Sequence, residues 1–408
     1  MALPINWFLK TICLIVPKTE LSATIYSTTA AIDASLWNAM TPSTNNIPDN
    51  PFLDHRFFLA LETSFSAIPE TGWQPQHIII ERNGQPVALM PLFLKSHSQG
   101  EYVFDHGFAQ AFERAGGQYY PKLLSAIPFT PVTAAKLLVP SGEAELASAL
   151  LLSAKQLAGQ LGASSVHANF VPETEEKLGE KNNWLPRYDT QFHWSNNGFS
   201  SFEDFLATLS SRKRKTIRRE RKQALAGGLT VEWLSGEQIT QSHWERFFAF
   251  YQDTGSRKWG QPYLTRQFFS RIGQTMSEKI VLMMVNDGNE FIAGALNFLG
   301  KDTLYGRYWG CSRDVPFLHF ELCYYQAIDY AIENGLKKVE AGAQGEHKLA
   351  RGYQPVKTRS IHWFANPGLN SAVADYLIGE RLAVSENQEY LERLSPFKNK
   401  QHKDDKEE

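Results

Sequence analysis

The chain has 408 residues, too many for one ordinary core, which points to two domains. Its 43% hydrophobic content is that of a globular protein, and it has no run of about 18 apolar residues that would make a transmembrane segment. A formal net charge of −2 gives no bulk attraction to nucleic acid, so stable DNA binding is not expected and an anionic partner needs a local basic patch.

Cys13, Cys311 and Cys323 show no CxxC spacing, so neither a disulfide framework nor a zinc site is expected, and a reducing, cytoplasmic setting fits. The first 23 residues include a short apolar run with Lys10 inside it, but no basic start and no A-x-A-like cleavage site. They read as an N-terminal extension, either unstructured or a short interfacial segment. Residues 77–95, HIIIERNGQPVALMPLFLK, are two apolar strands around an Asn-Gly turn, a hairpin signature. EYVFDH (101–106) reads as a third strand. The proline-containing segment 118–140 reads as a loop-rich flap. Residues 150–170 then form an apolar helix, a capping Gly162 and a strand containing His167.

The same plan returns later. Residues 280–299 repeat the hairpin, with Asp287-Gly288 in the turn, and TLYGRYWG (303–310) repeats the third strand. Residues 323–343 repeat the helix, a capping Gly335 and a strand. Aligned on the two glycines, Val166 matches Val339, His167 matches Glu340 and Ala168 matches Ala341. Each copy reads β-β-β-α-β. A duplication places one sheet-and-helix domain at 24–195 and another at 230–385, with a polar tail at 386–408.

The connector at 196–229 carries the charge. Ser201 and Asp204 form a helix-start signature, followed by an apolar stripe of Phe202, Phe205, Leu206 and Leu209. SRKRKTIRRERK then packs eight basic residues into twelve positions. Helical spacing puts Arg214, Arg218 and Arg221 on one face, a stripe that repels itself unless anions lie against it. Arg212, Lys213, Arg214, Lys215 and Arg218 are therefore candidate phosphate contacts, a solvated linker helix being the plainer alternative. Two aromatic-striped helices follow (Trp244 to Tyr251 and Phe268 to Met276). Between them, residues 253–264 read as a rigid loop with Arg257, Lys258, Trp259 and Tyr263.

Residues 340–355, EAGAQGEHKLARGYQP, mix glycines with charged side chains. Gly342, Gly345 and Gly352 would let backbone approach a ligand closely, and Lys348 and Arg351 are placed to hold an anion. Arg307, on the preceding long strand, faces either that groove or the core. Candidate proton acceptors are Glu340, Glu321, His347 and His319. Each has a structural alternative, such as a solvent-facing strand position for Glu340 or a favourable helix start for Glu321. No metal-ligand spacing and no bound cofactor are expected.

These pieces together resemble the FemABX aminoacyltransferases, and residues from about 24 to 380 are similar to the FemAB-like family of predicted N-acyltransferases. The stretches that carry the likeness are YYPKLLSAIPFTPV, RKRKTIRRER, PYLTRQFF, LYGRYWG, LHFELCYYQAI and EAGAQGEHKLARGYQP. The resemblance implies an α+β fold of two tandem GNAT-like domains, of acyl-CoA N-acyltransferase type, each a mixed, mainly antiparallel sheet flanked by helices. It implies transfer of an acyl or aminoacyl group from an activated donor to an amine, a cell-wall or peptide precursor being one acceptor class, and it supports placing Lys348 near the substrate. One departure concerns the donor. Acyl-CoA enzymes of this fold cradle the pyrophosphate in a Gly-rich loop. Here SRDVPFLHFE (312–321) has no glycine and LLVPSGEAE (137–145) has only Gly142. That favours aminoacyl-tRNA over acyl-CoA. Three functions stay open: a Fem-like transferase acting on an anionic or nucleotide-linked substrate, an acyl-CoA transferase, and a non-catalytic module binding an anionic polymer through 212–222.

Overall fold

The computed structural model describes residues 10–13, 21–44, 47–259, 262–342 and 345–398. In the first copy β1 (Leu21–Tyr26), β2 (His77–Arg82), β3 (Gln85–Met90), β4 (Phe93–Lys95) and β5 (Lys122–Ser125) precede α1 (Ala144–Leu161) and β6 (Ser165–Ala168). A long strand, β7 (Leu185–Ser195), leads to helices α2 (Phe202–Thr208) and α3 (Ser211–Ala224). The second copy runs β8 (Thr230–Ser235), α4 (Gln241–Trp259), α5 (Arg266–Thr275), β9 (Ile280–Asn286), β10 (Phe291–Leu299) and β11 (Thr303–Cys311). Its central helix, α6, has three parts: Leu318–Phe320, a π turn Glu321–Tyr325, and Gln326–Glu333. Then come β12 (Lys338–Glu340), a 3₁₀ turn Glu346–Arg351, β13 (Gln354–Phe364) and α7 (Pro367–Arg393).

Local chemistry explains the helix ends. Gly162 and Gly335, with φ of 64° each, terminate α1 and α6 in the left-handed conformation that only glycine adopts without cost. The expected repeat is present, with two corrections in the first copy. EYVFDH forms no strand; its acidic residues are counter-charges instead. The third strand is β5, inside the segment expected to be a flap, and Lys122 on it meets Glu101 at 2.7 Å and Asp105 at 2.5 Å. All four residues of β5 are buried, because Leu123 and Leu124 supply apolar surface while those carboxylates neutralise the lysine. Within the expected N-terminal extension, Lys10–Cys13 is a strand paired antiparallel with β1. The expected loop at 253–264 is helical as far as Trp259, since the aromatic stripe of α4 continues the turn pattern. The side chains of Arg257, Lys258 and Trp259 lie outside the described residues.

The chain forms two compact units, and neither is a contiguous stretch. One comprises Met1–Asp189, Tyr263–Thr275 and Thr358–Val384; the other comprises Thr190–Pro262, Met276–Lys357 and Ser385–Glu408. The reason is an exchange of strands. In the first unit β6 pairs parallel with β5 and antiparallel with β13, the strand that follows the second copy. In the second unit β12 pairs parallel with β11 and antiparallel with β7, the strand that follows the first copy. The boundaries expected at 195 and 230 therefore move, and the basic helices α2 and α3 fall within the second unit. In the first unit α1 buries Leu146, Leu150, Ala154 and Leu157 on a sheet face with Ile78, Ile80 and Val166. In the second, α6 packs Leu322, Ile328 and Ala331 against Leu304 and Val339, and α3 adds Ile217 and Ala224.

Candidate active site

The second unit opens where β11 and β12 part. The two strands pair over Thr303↔Lys338, Leu304↔Val339 and Tyr305↔Glu340. There β12 ends, while β11 runs on to Cys311. At the same level the β10–β11 register slips: Leu296 faces Tyr308 and Asn297 faces Gly306, so Arg307 is an extra residue. Such a bulge re-aims a side chain and breaks strict alternation. The Arg307 side chain is consequently only 2% exposed.

Four groups converge on this opening. Arg307 donates to Gly306 O at 2.9 Å and reaches the Glu340 carboxylate at 3.4 Å. Glu340 is itself 2% exposed, not solvent-facing, and Lys338 lies 2.8 Å from Oε1. His193, its partner across β7, is 3.9 Å away. Burial pushes the Glu340 carboxyl upward, but His193, Lys338 and Arg307 together outweigh it and hold the group below its ordinary range. Glu340 is thus a fixed anion that neutralises its neighbours. Burial lowers His193 to about 4, so its ring is neutral at pH 7.

Lys348 differs from the cation expected of it. It is 1% exposed and its Nζ donates to Gly342 O at 2.9 Å. Burial, then Arg307, lower its pKa to about 7. A lysine so placed is a proton acceptor at neutral pH. His347 is exposed, and its Nε2 lies 2.8 Å from the hydroxyl of buried Tyr324. Gly345 permits this: its φ is 113°, and a Cβ there would sit 2.4 Å from the His347 ring.

Arg351 and Glu321 are placed elsewhere. Arg351 is 6% exposed, paired with Glu220 at 2.9 Å and stacked over Phe320 at 3.5 Å. It ties the 3₁₀ turn to α3 rather than forming an anion-holding rim. Replacing it with Ala leaves Glu220 buried without its cation, a loss of roughly 3 kcal/mol or more. We expect R351A to lower the melting temperature markedly, and melting curves of the two proteins check this. Glu321 is fully buried, bonded to Arg221 at 3.0 Å and to Gln326 at 2.7 Å. It anchors α3 to α6 and is not open to substrate.

The basic stripe divides in the same way. Arg221 also meets Asp329 at 2.6 Å, and exposed Arg218 pairs with Glu203. Arg214 donates to Leu209 O at 2.7 Å. Arg212, Lys215, Arg219 and Lys222 are exposed and Lys213 is half-buried; among the described residues none of these five forms an ion pair.

Sequence reasoning missed Asn297. It is fully buried and donates Nδ2 to Val281 O at 3.2 Å and Ala295 O at 3.3 Å, which fixes the amide orientation. Among the described residues its Oδ1 has no hydrogen-bond donor, and Asn297 lines a cavity of about 90 Å³ with Arg307, Tyr308, Trp309, Cys323 and Tyr324. The only signal was an Asn inside an otherwise apolar strand. Trp309 and His319 also line a larger cavity, about 310 Å³, at the start of α6. Among the described residues no His, Cys, Asp and Glu cluster is arranged to hold a metal ion.

The FemAB-like family model, described as peptidoglycan biosynthesis/recognition, matches residues 28–399. The chain belongs to the FemAB-like family. No curated protein matches it. Among solved structures, FemX is 13% identical with a TM-score of 0.52, covering 84% of this chain and 98% of that one. The C-terminal DUF2156 domain of an Agrobacterium fabrum protein is 10% identical, with a TM-score of 0.51 and coverage of 86% and 97%. A tandem GNAT protein from the clavulanic acid biosynthesis pathway is 11% identical at TM-score 0.45, with coverage of 85% and 99%. The fold of this FemAB-like protein is α+β, with mixed sheets flanked by helices, and is similar to that of FemX. No helix among the described residues is long and apolar enough to cross a membrane.

Proposed function

We propose that this FemAB-like protein is an N-acyltransferase that moves an aminoacyl group from an activated ester donor to the amine of a peptide or cell-wall precursor. The observation that carries this reading is a buried Lys348 amine, with its pKa lowered to about 7, in the unit whose strands part around Arg307. An acceptor amine arrives protonated. Lys348 takes its proton, the freed nitrogen attacks the ester carbonyl, and Arg307 faces the developing oxyanion. The new C–N bond forms as the C–O bond breaks, and the leaving alkoxide takes up the proton that the attacking nitrogen sheds and departs as the alcohol. Asn297 Oδ1 supports an aminoacyl rather than a plain acyl donor, because an α-ammonium supplies the hydrogen bond that this buried acceptor lacks.

The test is transfer by purified protein from labelled aminoacyl-tRNA and from acyl-CoA to amine-bearing muropeptides. Labelled amide from the tRNA donor is the expected product. Product from acyl-CoA alone would replace this reading with a CoA-dependent one, and polyanion binding without turnover with either donor would make the protein a binding module. The exposed cations of α3 suit a nucleotide-linked reactant. Changing Arg212, Lys215 and Arg219 to Gln is expected to weaken tRNA binding at low salt and to flatten the dependence of log Kd on log salt by about 1 per residue, as filter binding over a salt series would read.

A further inference from the structure

The first unit carries its own buried chain of polar groups, at the same strand register as the site in the second. In the second unit Gln191, His193 and Glu340 lie in line: Gln191 Oε1 is 3.3 Å from His193 Nε2, and His193 faces Glu340 across the strand pair. In the first unit the corresponding residues are Ser360, His362 and His167, with His362 facing His167. Here the outer group is a hydroxyl. Ser360 Oγ lies 2.8 Å from His362 Nε2, and His362 Nδ1 lies 2.6 Å from His167 Nδ1. His167 Nε2 is 2.8 Å from Ser165 Oγ and 3.9 Å from the Asp105 carboxylate. That carboxylate is fixed by Lys122 at 2.5 Å and by the Tyr119 hydroxyl at 2.7 Å.

The Asp105 carboxylate beside His167 Nε2 favours a proton on that nitrogen. With His167 Nε2–H directed to Ser165 and Asp105, His167 Nδ1 accepts from His362 Nδ1–H, and His362 Nε2 is left to accept the Ser360 proton. A nucleophile in reach of a base, and a base oriented by a further group, is the arrangement of activated hydroxyls. Burial holds both rings neutral at pH 7, lowering His167 to about 3 and His362 well below its ordinary value. Ser360 also lines a cavity of about 150 Å³, shared with Thr358, Phe104, Phe170, Arg187 and Glu380. A cavity of about that size admits a single ring or a short acyl chain.

We propose that Ser360, with His362 as its base, forms a second reaction centre in the first unit, one that takes esters of small acyl groups. Ser360 Oγ bonds to the ester carbonyl carbon as its proton passes to His362 Nε2. The C–O bond to the alcohol breaks and the alcohol leaves with that proton. Water then releases the acid from Ser360 by the same route, so that ester and water become acid and alcohol. The cavity wall also carries Arg187, a guanidinium held by Glu380 and by Phe104 O, each at 2.8 Å.

The experiment treats the full chain with phenylmethanesulfonyl fluoride and reads intact mass, peptide mapping and hydrolysis of p-nitrophenyl acetate. One adduct on Ser360 is expected. S360A, a change of one atom that leaves the strand packing alone, should abolish it and lower hydrolysis about 100-fold or more. H362Q should slow adduct formation at least tenfold, its fold being checked by thermal melting. No adduct on the folded protein, or adduct and hydrolysis unchanged in S360A, would overturn the proposal. Because the readout needs neither tRNA nor CoA, failure here leaves the transferase reading standing, and the reverse also holds.

Discussion

Replacing Lys348 with Met should reduce aminoacyl transfer about 100-fold or more while leaving the fold intact or firmer. A positioned general base contributes roughly 10²–10⁴ in rate, so its removal raises the barrier by about 2.7 kcal/mol or more. Stability moves the other way. The unfolded chain holds a lysine of ordinary pKa, 10.5, and the folded chain one of about 7. Between those values the unfolded state binds the extra proton, so this lysine opposes folding progressively as pH falls from 10.5 to 7, and fully below that. Met keeps the stem packed and removes the opposition; the variant should melt at or above wild type at pH 7. Two further readouts isolate the proton role. Transfer by the wild type should rise with pH through about 7, and one ¹³C-methylated lysine resonance titrating near 7 should vanish in K348M. Loss of fold together with activity would make Lys348 a packing residue.

Hairpins and helix caps are local, and Asn83-Gly84, Gly162 and Gly335 announced them. The position of Lys348 beside a glycine-rich turn was legible for the same reason. Its burial was not, nor was the nearness of Arg307, which comes from a strand some forty residues earlier and lowers the lysine's pKa further. Glu340 is the clearest case. Alone it reads as a charge on an exposed strand, but Arg307, Lys338 and His193 reach it from three strands, one of them exchanged from the far side of the duplication. Strand exchange leaves no mark in composition or periodicity, since residues 190–195 and 358–364 look like ordinary strands wherever they pair. Arg351 and Arg221 were read as anion holders because their partners, Glu220, Glu321 and Asp329, lie on other helices or, for Glu220, within a run that looks uniformly basic. EYVFDH follows a hairpin and holds three consecutive apolar residues as a strand would, yet Glu101 and Asp105 are committed to Lys122, a pairing that only the folded chain reveals.

Glu340→Gln should be the most destabilising conservative change at the site. Gln retains the shape but leaves Arg307, whose side chain is 2% exposed, without its nearest negative charge. Removing one member of a buried pair costs about 3–5 kcal/mol, most of it the stranded charge of the other. The pH dependence identifies the cause. The folded carboxyl titrates below the ordinary glutamate value of 4.5 because His193, Lys338 and Arg307 outweigh its burial. A depressed carboxylate contributes stability that is complete above 4.5 and disappears as pH falls through the folded value. The wild type should therefore lose stability over that acid window more steeply than E340Q, and the two unfolding curves should converge at the acid end. A constant gap at every pH would assign the loss to side-chain packing, and no gap at pH 7 would mean that the backbone carbonyl oxygens of Gly306 and Glu340 hold Arg307 without the carboxylate. Double substitution is the sharper form of the same measurement. With Arg307→Met added, the stranded charge is gone, and E340Q/R307M should recover a large part of what E340Q lost, while Arg307→Met alone leaves Glu340 with Lys338 at 2.8 Å and costs less than E340Q.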